Sequence, residues 1–162
     1  MLEAFESIVD KNSRVLILGS MPGAESLRQS NYYAFPRNQF WKIIYELFNK
    51  DIDEDFDKRY RFILDNNIAL WDVLKYCKRE GSLDTNIKEE TSNDFHEFFK
   101  EYPNIEYVFF NGTKSQQLFK RYIGYDIEGI KEFHLLPSTS PANTQKYDYK
   151  FEKWSVIKDV LM

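Results

Sequence analysis

Three short apolar runs, "RVLILGS" (Arg14–Ser20), "IEYVFFNG" (Ile105–Gly112) and "EFHLLPSTSPAN" (Glu132–Asn143), each break into a polar, turn-forming cluster. Leucine, β-branched and aromatic runs of this length, closed by Gly or Pro, read as buried strands. Helical patterns lie between them. "NQFWKIIYELFN" (Asn38–Asn49) sets Phe40, Trp41, Ile44, Leu47 and Phe48 on one stripe. "FDKRYRFILDNN" (Phe56–Asn67) predicts a second helix, and "IALWDVL" (Ile68–Leu74) a strand or extended segment. "SNDFHEFFKEYP" (Ser92–Pro103) opens on a capping residue and stops at proline, as helices do. "TKSQQLFKRYIG" (Thr113–Gly124) reads as a helix, and "YKFEKWSVIKDVLM" (Tyr149–Met162) as a closing amphipathic helix. Alternating strands and helices predict a three-layer α/β/α sandwich around a short, mostly parallel sheet. In such folds ligands bind beyond the carboxyl ends of the strands. The clusters "GSMPG", "NGT" and "LPSTSPAN" sit at those ends, so they should converge into one site.

A chain of 162 residues, 43% of them hydrophobic, suits one domain over residues 1–162 with a real core, and neither disorder nor a repeat array. No apolar run approaches the roughly 18 residues of a membrane span. "MLEAFESIVD" has no basic start and no apolar core of a secretion signal, so a soluble, cytoplasmic protein is expected. Cys77 is the only cysteine, which rules out an internal disulfide and any four-cysteine cluster. The net charge of −4 does not advertise a nucleic-acid binder. Five acids crowd "NKDIDEDFDKR" (Asn49–Arg59), whereas Lys11, Arg14, Arg28, Arg37 and Lys42 flank the first polar cluster against Glu25 and Glu46. That imbalance fits either a local basic face or an ordinary mixed surface.

Familiar catalytic constellations fit poorly. His96 falls within a helix and His134 within an apolar strand, and neither has a spacing that suggests a metal site. Cys77 has no obvious base beside it and reads as a small buried residue. "GSMPG" lacks both the Lys-Ser/Thr ending of a P-loop and the glycine spacing of a dinucleotide fingerprint. Ser20, Ser138 and Ser140 lack a convincing histidine partner for nucleophilic catalysis. What remains is a site of backbone amides, hydroxyls, asparagine amides and aromatic faces. Such a set suits a neutral, planar, hydrogen-bonding ligand beside a phosphate, and a nucleobase in DNA meets that description. Tyr32, Tyr33 and Phe35 can stack on a base, and asparagine offers a donor and an acceptor to its edge. Serine, threonine and loop N–H groups can hold phosphates without net positive charge. Asp72 in "LWDVL" is a candidate base whose apolar neighbours would raise its pKa, or else a cap or ion-pair partner. His134 is a candidate donor to a leaving base, or a structural histidine.

Three blocks together resemble the uracil-DNA glycosylase superfamily, and within it most closely the hypoxanthine (deoxyinosine) DNA glycosylase branch. They are "LILGSMPGAESLRQSNYYAFPRNQFWKII", "IALWDVLKYCKREGSLDTNI" and "FHLLPSTSPAN", spread over nearly the whole chain. The resemblance implies a monofunctional glycosylase that extrudes a deaminated base from DNA and hydrolyses its bond to deoxyribose, with hypoxanthine the first substrate and uracil the second. It implies that Tyr33 stacks on the flipped base, that backbone around Gly19, Ser20 and Met21 faces it, and that Asn111 meets its edge. Pro137, Ser138, Thr139 and Ser140 would contact the DNA backbone, and the turn after Asn143 would press into the gap in the helix. Damaged DNA is the implied partner of a monomer that uses no metal and no cofactor.

Met21 departs from the pattern. Many superfamily members carry Asn or Asp there to place the attacking water, and a thioether cannot do so. In the deoxyinosine branch the role passes to the asparagine of "P-N-FW", here Asn38. An amide orients water only through its carbonyl oxygen, which suffices if the sugar becomes oxocarbenium-like before water attacks. Hydrogen bonds to the departing base would then carry much of the catalysis. Asn38 could also serve as an N-cap for the following helix. A non-catalytic relative that only binds nucleic acid, and a hydrolase of free nucleosides or nucleotides, are the alternatives.

Overall fold

The computed structural model describes residues 1–162. In chain order the first elements are β1 (Leu2–Glu3), β2 (Val15–Gly19), α1 (Ala24–Gln29), α2 (Phe40–Leu47) and α3 (Phe56–Asp65). Next come β3 (Ile68–Asp72), β4 (Leu74–Lys78), β5 (Lys88–Ser92), α4 (Phe95–Glu101) and β6 (Tyr107–Asn111). The chain ends with α5 (Thr113–Tyr122), β7 (Glu132–Leu136), α6 (Tyr147–Trp154) and α7 (Val156–Leu161). A four-stranded parallel sheet has the order β3-β2-β6-β7, and a smaller antiparallel sheet the order β1-β4-β5.

Residues Val15 to Leu18 are wholly buried because both faces of the parallel sheet are covered. Strand side chains alternate between faces. Val15, Ile17, Ile68, Leu70 and Phe109 pack on one side against residues of α2, α3, α6 and α7. Leu16, Leu18, Ala69, Val108 and Phe110 pack on the other against α4 and α5. This is the expected three-layer arrangement, with one aromatic-rich core on each side of the sheet.

Several elements differ from expectation. The closing segment is two helices that meet at Ser155, whose hydroxyl turns back to the Glu152 carbonyl. The segment that follows "GSMPG" contains the short helix α1, and the chain beyond β3 pairs into the antiparallel sheet. α2 starts at Phe40, with the Asn38 Oδ1 accepting the Phe40 N–H at 2.9 Å. α4 starts two residues later than its sequence suggests, because Ser92 ends β5 and Asp94 is the cap that accepts the Glu97 N–H.

Candidate active site

The sheet register assembles the site. Asp72 ends β3 opposite Gly19, which ends β2. Gly19 lies one residue beyond the paired Leu18 and Phe110, and so beside Asn111, which pairs with Leu136 of β7. Asp72, Gly19 and Asn111 therefore form one row across three strands, on the face that carries α2. The polar strand ends converge as expected.

A larger residue at Gly19 would force Asp72 to move. A methyl group there would stand 2.6 Å from Asp72 Oδ1 and 3.2 Å from the Tyr33 hydroxyl. Two polar side chains thus close in over one bare backbone position. Tyr33 reaches it from a left-handed conformation (φ 52°), and its ring stacks on Phe40 with centroids 4.0 Å apart. Neither the Tyr33 hydroxyl nor Asp72 Oδ2 has a hydrogen-bond partner, although both atoms are buried. Burial and then the Asp84 carboxylate push the Asp72 carboxyl up to about 7, against the opposing pull of Arg79. Burial and then Asp72 raise the Tyr33 phenol, against the pull of Asn111. A buried, unpaired carboxyl that titrates near neutrality is the kind of group that marks a functional site.

Above the row, residues 79–86 fold over the "GSMPG" turn. Arg79 donates to the Pro22 carbonyl at 2.6 Å and to Gly81 at 2.7 Å. Ser82 accepts the Ala24 N–H, and the Ser20 hydroxyl donates to Asp84 at 2.6 Å. The Met21 side chain is buried in the core on the opposite side of the sheet. Only the backbone at Met21 can belong to the site, consistent with its lack of a water-holding group.

The second loop is built as a clamp. Asn111 Nδ2 donates to Thr139 Oγ1, and the Thr139 N–H donates to Asn111 Oδ1, both at 3.0 Å. The Thr139 carbonyl accepts the Gln39 N–H at 3.0 Å, and Thr139 is wholly buried. Its hydroxyl and amide hold the two loops together, while Ser138 and Ser140 remain partly exposed. Gly112, at φ 93°, lets β6 turn into α5 hard against Ser138, whose Cβ would lie 3.1 Å from any added methyl. From below, the Trp154 indole donates to the Pro137 carbonyl at 2.9 Å. The Lys150 ammonium donates to Gln39 Oε1 at 3.0 Å and to the Asn143 carbonyl at 2.9 Å.

Gly19, Ser20, Tyr33, Asn38, Asn111 and residues 137–143 are thus joined through the loops they occupy. Tyr32 is excluded from ligand contact, since it is buried and its hydroxyl donates to the Glu6 carbonyl. His134 stacks on Phe109 and faces Glu132, and His96 is exposed on α4. The cations considered for a basic face are scattered: Arg14 faces Glu106, Arg28 pairs with Glu25, and Lys42 lies over Tyr147. Sequence reasoning missed Arg79, Ser82, Asp84 and Lys150. The turn-rich "REGSLDTN" was the available signal for the first three, and nothing in the pattern around Lys150 announced its burial.

Comparison with known proteins fits this geometry. Residues 6–160 match the family described as the uracil DNA glycosylase superfamily. A protein of Methanosarcina barkeri named hypoxanthine DNA glycosylase is 35% identical over 156 residues, covering 94% of this chain and 95% of its own. A Methanosarcina acetivorans protein of the same name is 33% identical over the same shares. A solution NMR structure of a candidate uracil DNA glycosylase from Methanosarcina acetivorans superposes with a TM-score of 0.82 at 33% identity, covering 98% of this chain and 97% of that one. With the strand-end row, the clamped second loop and this full-length likeness, the chain belongs to the uracil DNA glycosylase superfamily.

Proposed function

We propose that this DNA glycosylase removes hypoxanthine from DNA, flipping the deoxyinosine out of the duplex and hydrolysing the bond between C1′ and N9. The observation that carries the reading is the row of Asp72, Gly19 and Asn111 under Tyr33, in a chain one-third identical to proteins named for hypoxanthine. Gly19 allows close approach to the sheet end, and Tyr33, packed on Phe40 by one face, is positioned to cover a planar base. Ser138 and Ser140 hold the flanking backbone through neutral hydroxyls.

The C1′–N9 electron pair leaves with the base, the water oxygen bonds to C1′, and one water proton ends on the departing base. Asn38 orients that water. Its Oδ1 already accepts the Phe40 N–H, which fixes the side chain and leaves one lone pair for water. The N-cap itself is Gln39, so Asn38 braces the start of α2 from one residue earlier, a task compatible with orienting water. The Asn111 amide is committed to Thr139, so a base edge would meet only its remaining donor and acceptor capacity.

Labelled duplexes containing deoxyinosine, deoxyuridine or deoxyxanthosine, treated with enzyme and then alkali, test the reading. Strand cleavage at deoxyinosine is expected, and Asn38→Ala should fold normally yet lose most of that activity. Cleavage at uracil alone, which the structural relative's description favours, would move the substrate within the superfamily. No cleavage of any duplex would sink the catalytic reading, and full turnover by Asn38→Ala would move the water to another residue.

A further inference from the structure

Lys150 is 2% exposed, yet its ammonium forms no ion pair. It donates to two neutral oxygens, Gln39 Oε1 and the Asn143 carbonyl. Burial alone lowers its pKa, with no charged neighbour acting on it. The carboxylates of α6 and of the elements packed against it are engaged or exposed: Glu46 of α2 takes the Tyr147 hydroxyl, Glu132 of β7 faces His134, and Asp148, Glu152 and Asp159 are exposed. Burying a charge without a counter-charge is costly. A neutral donor could tie the same two oxygens together at less cost, so a strut alone does not account for an ammonium.

The loop above Lys150 is arranged to receive an anion. The carbonyls of Pro137, Ser138, Thr139, Ser140 and Asn143 are all occupied by donors within the protein. Their negative ends are engaged, and the part-buried hydroxyls of Ser138 and Ser140, whose oxygens accept the Ser140 and Ala142 N–H groups, keep their own O–H donors free of any protein acceptor. One free charge lies beneath them.

We propose that Lys150 is the buried counter-charge for a DNA backbone phosphate seated on the Ser138–Ser140 loop, acting through the loop rather than by touching the phosphate. Lys150 is thus a positioning residue: it joins the segment that carries Asn38 to the loop that grips DNA, and its charge becomes balanced only when DNA is bound. The proposal rests on the DNA-glycosylase reading and names the chemistry of the group its second loop recognises.

The test is a chemical double-mutant cycle on binding, using a duplex with a tetrahydrofuran abasic site so that no base need be excised. Phosphates flanking the site are replaced one at a time by neutral methylphosphonates. One such replacement should weaken the wild-type protein about 10-fold, the size of a modest charge coupling. Lys150→Met should bind the all-phosphate duplex about 10-fold more weakly and show no further loss at that position. Lys150→Arg, which keeps the charge, should retain the wild-type penalty. Lys150→Gln stands in as the neutral variant if the methionine protein does not fold, as judged by circular dichroism. Independent, additive losses at every position would overturn the proposal and leave Lys150 a strut. Failure of the wild-type protein to prefer the abasic duplex over undamaged DNA would instead count against the glycosylase reading.

Discussion

Asp72 keeps an ionisable group where ionisation is least favourable. Its folded pKa of about 7 lies above the 3.8 of a free aspartate, so the native state holds the proton more tightly between those values. Stability therefore falls as pH rises through that window, and above it the full penalty is present. A rise of that size corresponds to about 4 kcal/mol at most, at roughly 1.36 kcal/mol per pH unit. Asp72→Asn should thus be more stable than wild type in urea at pH 8, by about 1–4 kcal/mol, with little difference at about pH 4. An Asp72→Asn protein no more stable than wild type under the alkaline condition would show that the carboxyl is relieved in some other way. A group retained against stability is characteristic of function, where activity and stability pull apart. Tyr33 makes the complementary case. Tyr33→Ala should weaken binding to deoxyinosine duplexes by about 1–3 kcal/mol, the contribution of one base stack. Unchanged affinity would remove Tyr33 from the base site. At this scale only the family resemblance, not the residue pattern, separated Tyr33 from Tyr32, and the pattern left the two uses of Asn38 open. Adjacent tyrosines look alike until the backbone puts one at positive φ and buries the other.

Among elements, the strands of the parallel sheet were legible because each is a short, doubly buried run that ends at a polar turn. The antiparallel sheet was not. β4 buries only Leu74 and Cys77 between exposed lysines, β5 buries no residue, and their pairing carries register irregularities, so neither shows a strand pattern. α1 was hidden because its six residues bury only Ser26 and show no apolar stripe. The convergence of the polar clusters could be read from topology, but their support could not. Trp154 and Lys150 lie on α6 near the end of the chain, and nothing local says that they hold the loop after β7. Trp154→Phe keeps a ring in the core but leaves the part-buried Pro137 carbonyl without its donor. It should cost about 1–3 kcal/mol of stability and reduce excision by loosening the second loop. Wild-type thermal stability in that variant would mean that the carbonyl finds another partner.

For the whole molecule, the net charge of −4 poses the question of how an acidic protein holds a polyanion. Most of its ion pairs serve the protein's own surface: Lys131 and Arg14 at Glu106, Arg121 at Glu90, Lys78 at Glu89 and Lys50 at Asp53. The loop proposed to meet DNA instead carries the hydroxyls of Ser138 and Ser140, with Lys150 sealed beneath. Such an interface neutralises few phosphates with exposed cations and so releases few counterions. Proteins that make six to ten such contacts lose about 10³–10⁵ in affinity between 50 and 200 mM salt. With two or three contacts, the expected loss here is only about 10- to 40-fold. Fluorescence anisotropy of a labelled abasic duplex across that range would measure it. A slope as steep as that of a basic DNA-binding protein would mean that Arg37, Lys42 and Lys146, exposed around the two loops, gather on the phosphates when DNA binds. A shallow slope, with lesion binding intact, would place recognition in the aromatic and hydroxyl surface around Tyr33, Ser138 and Ser140.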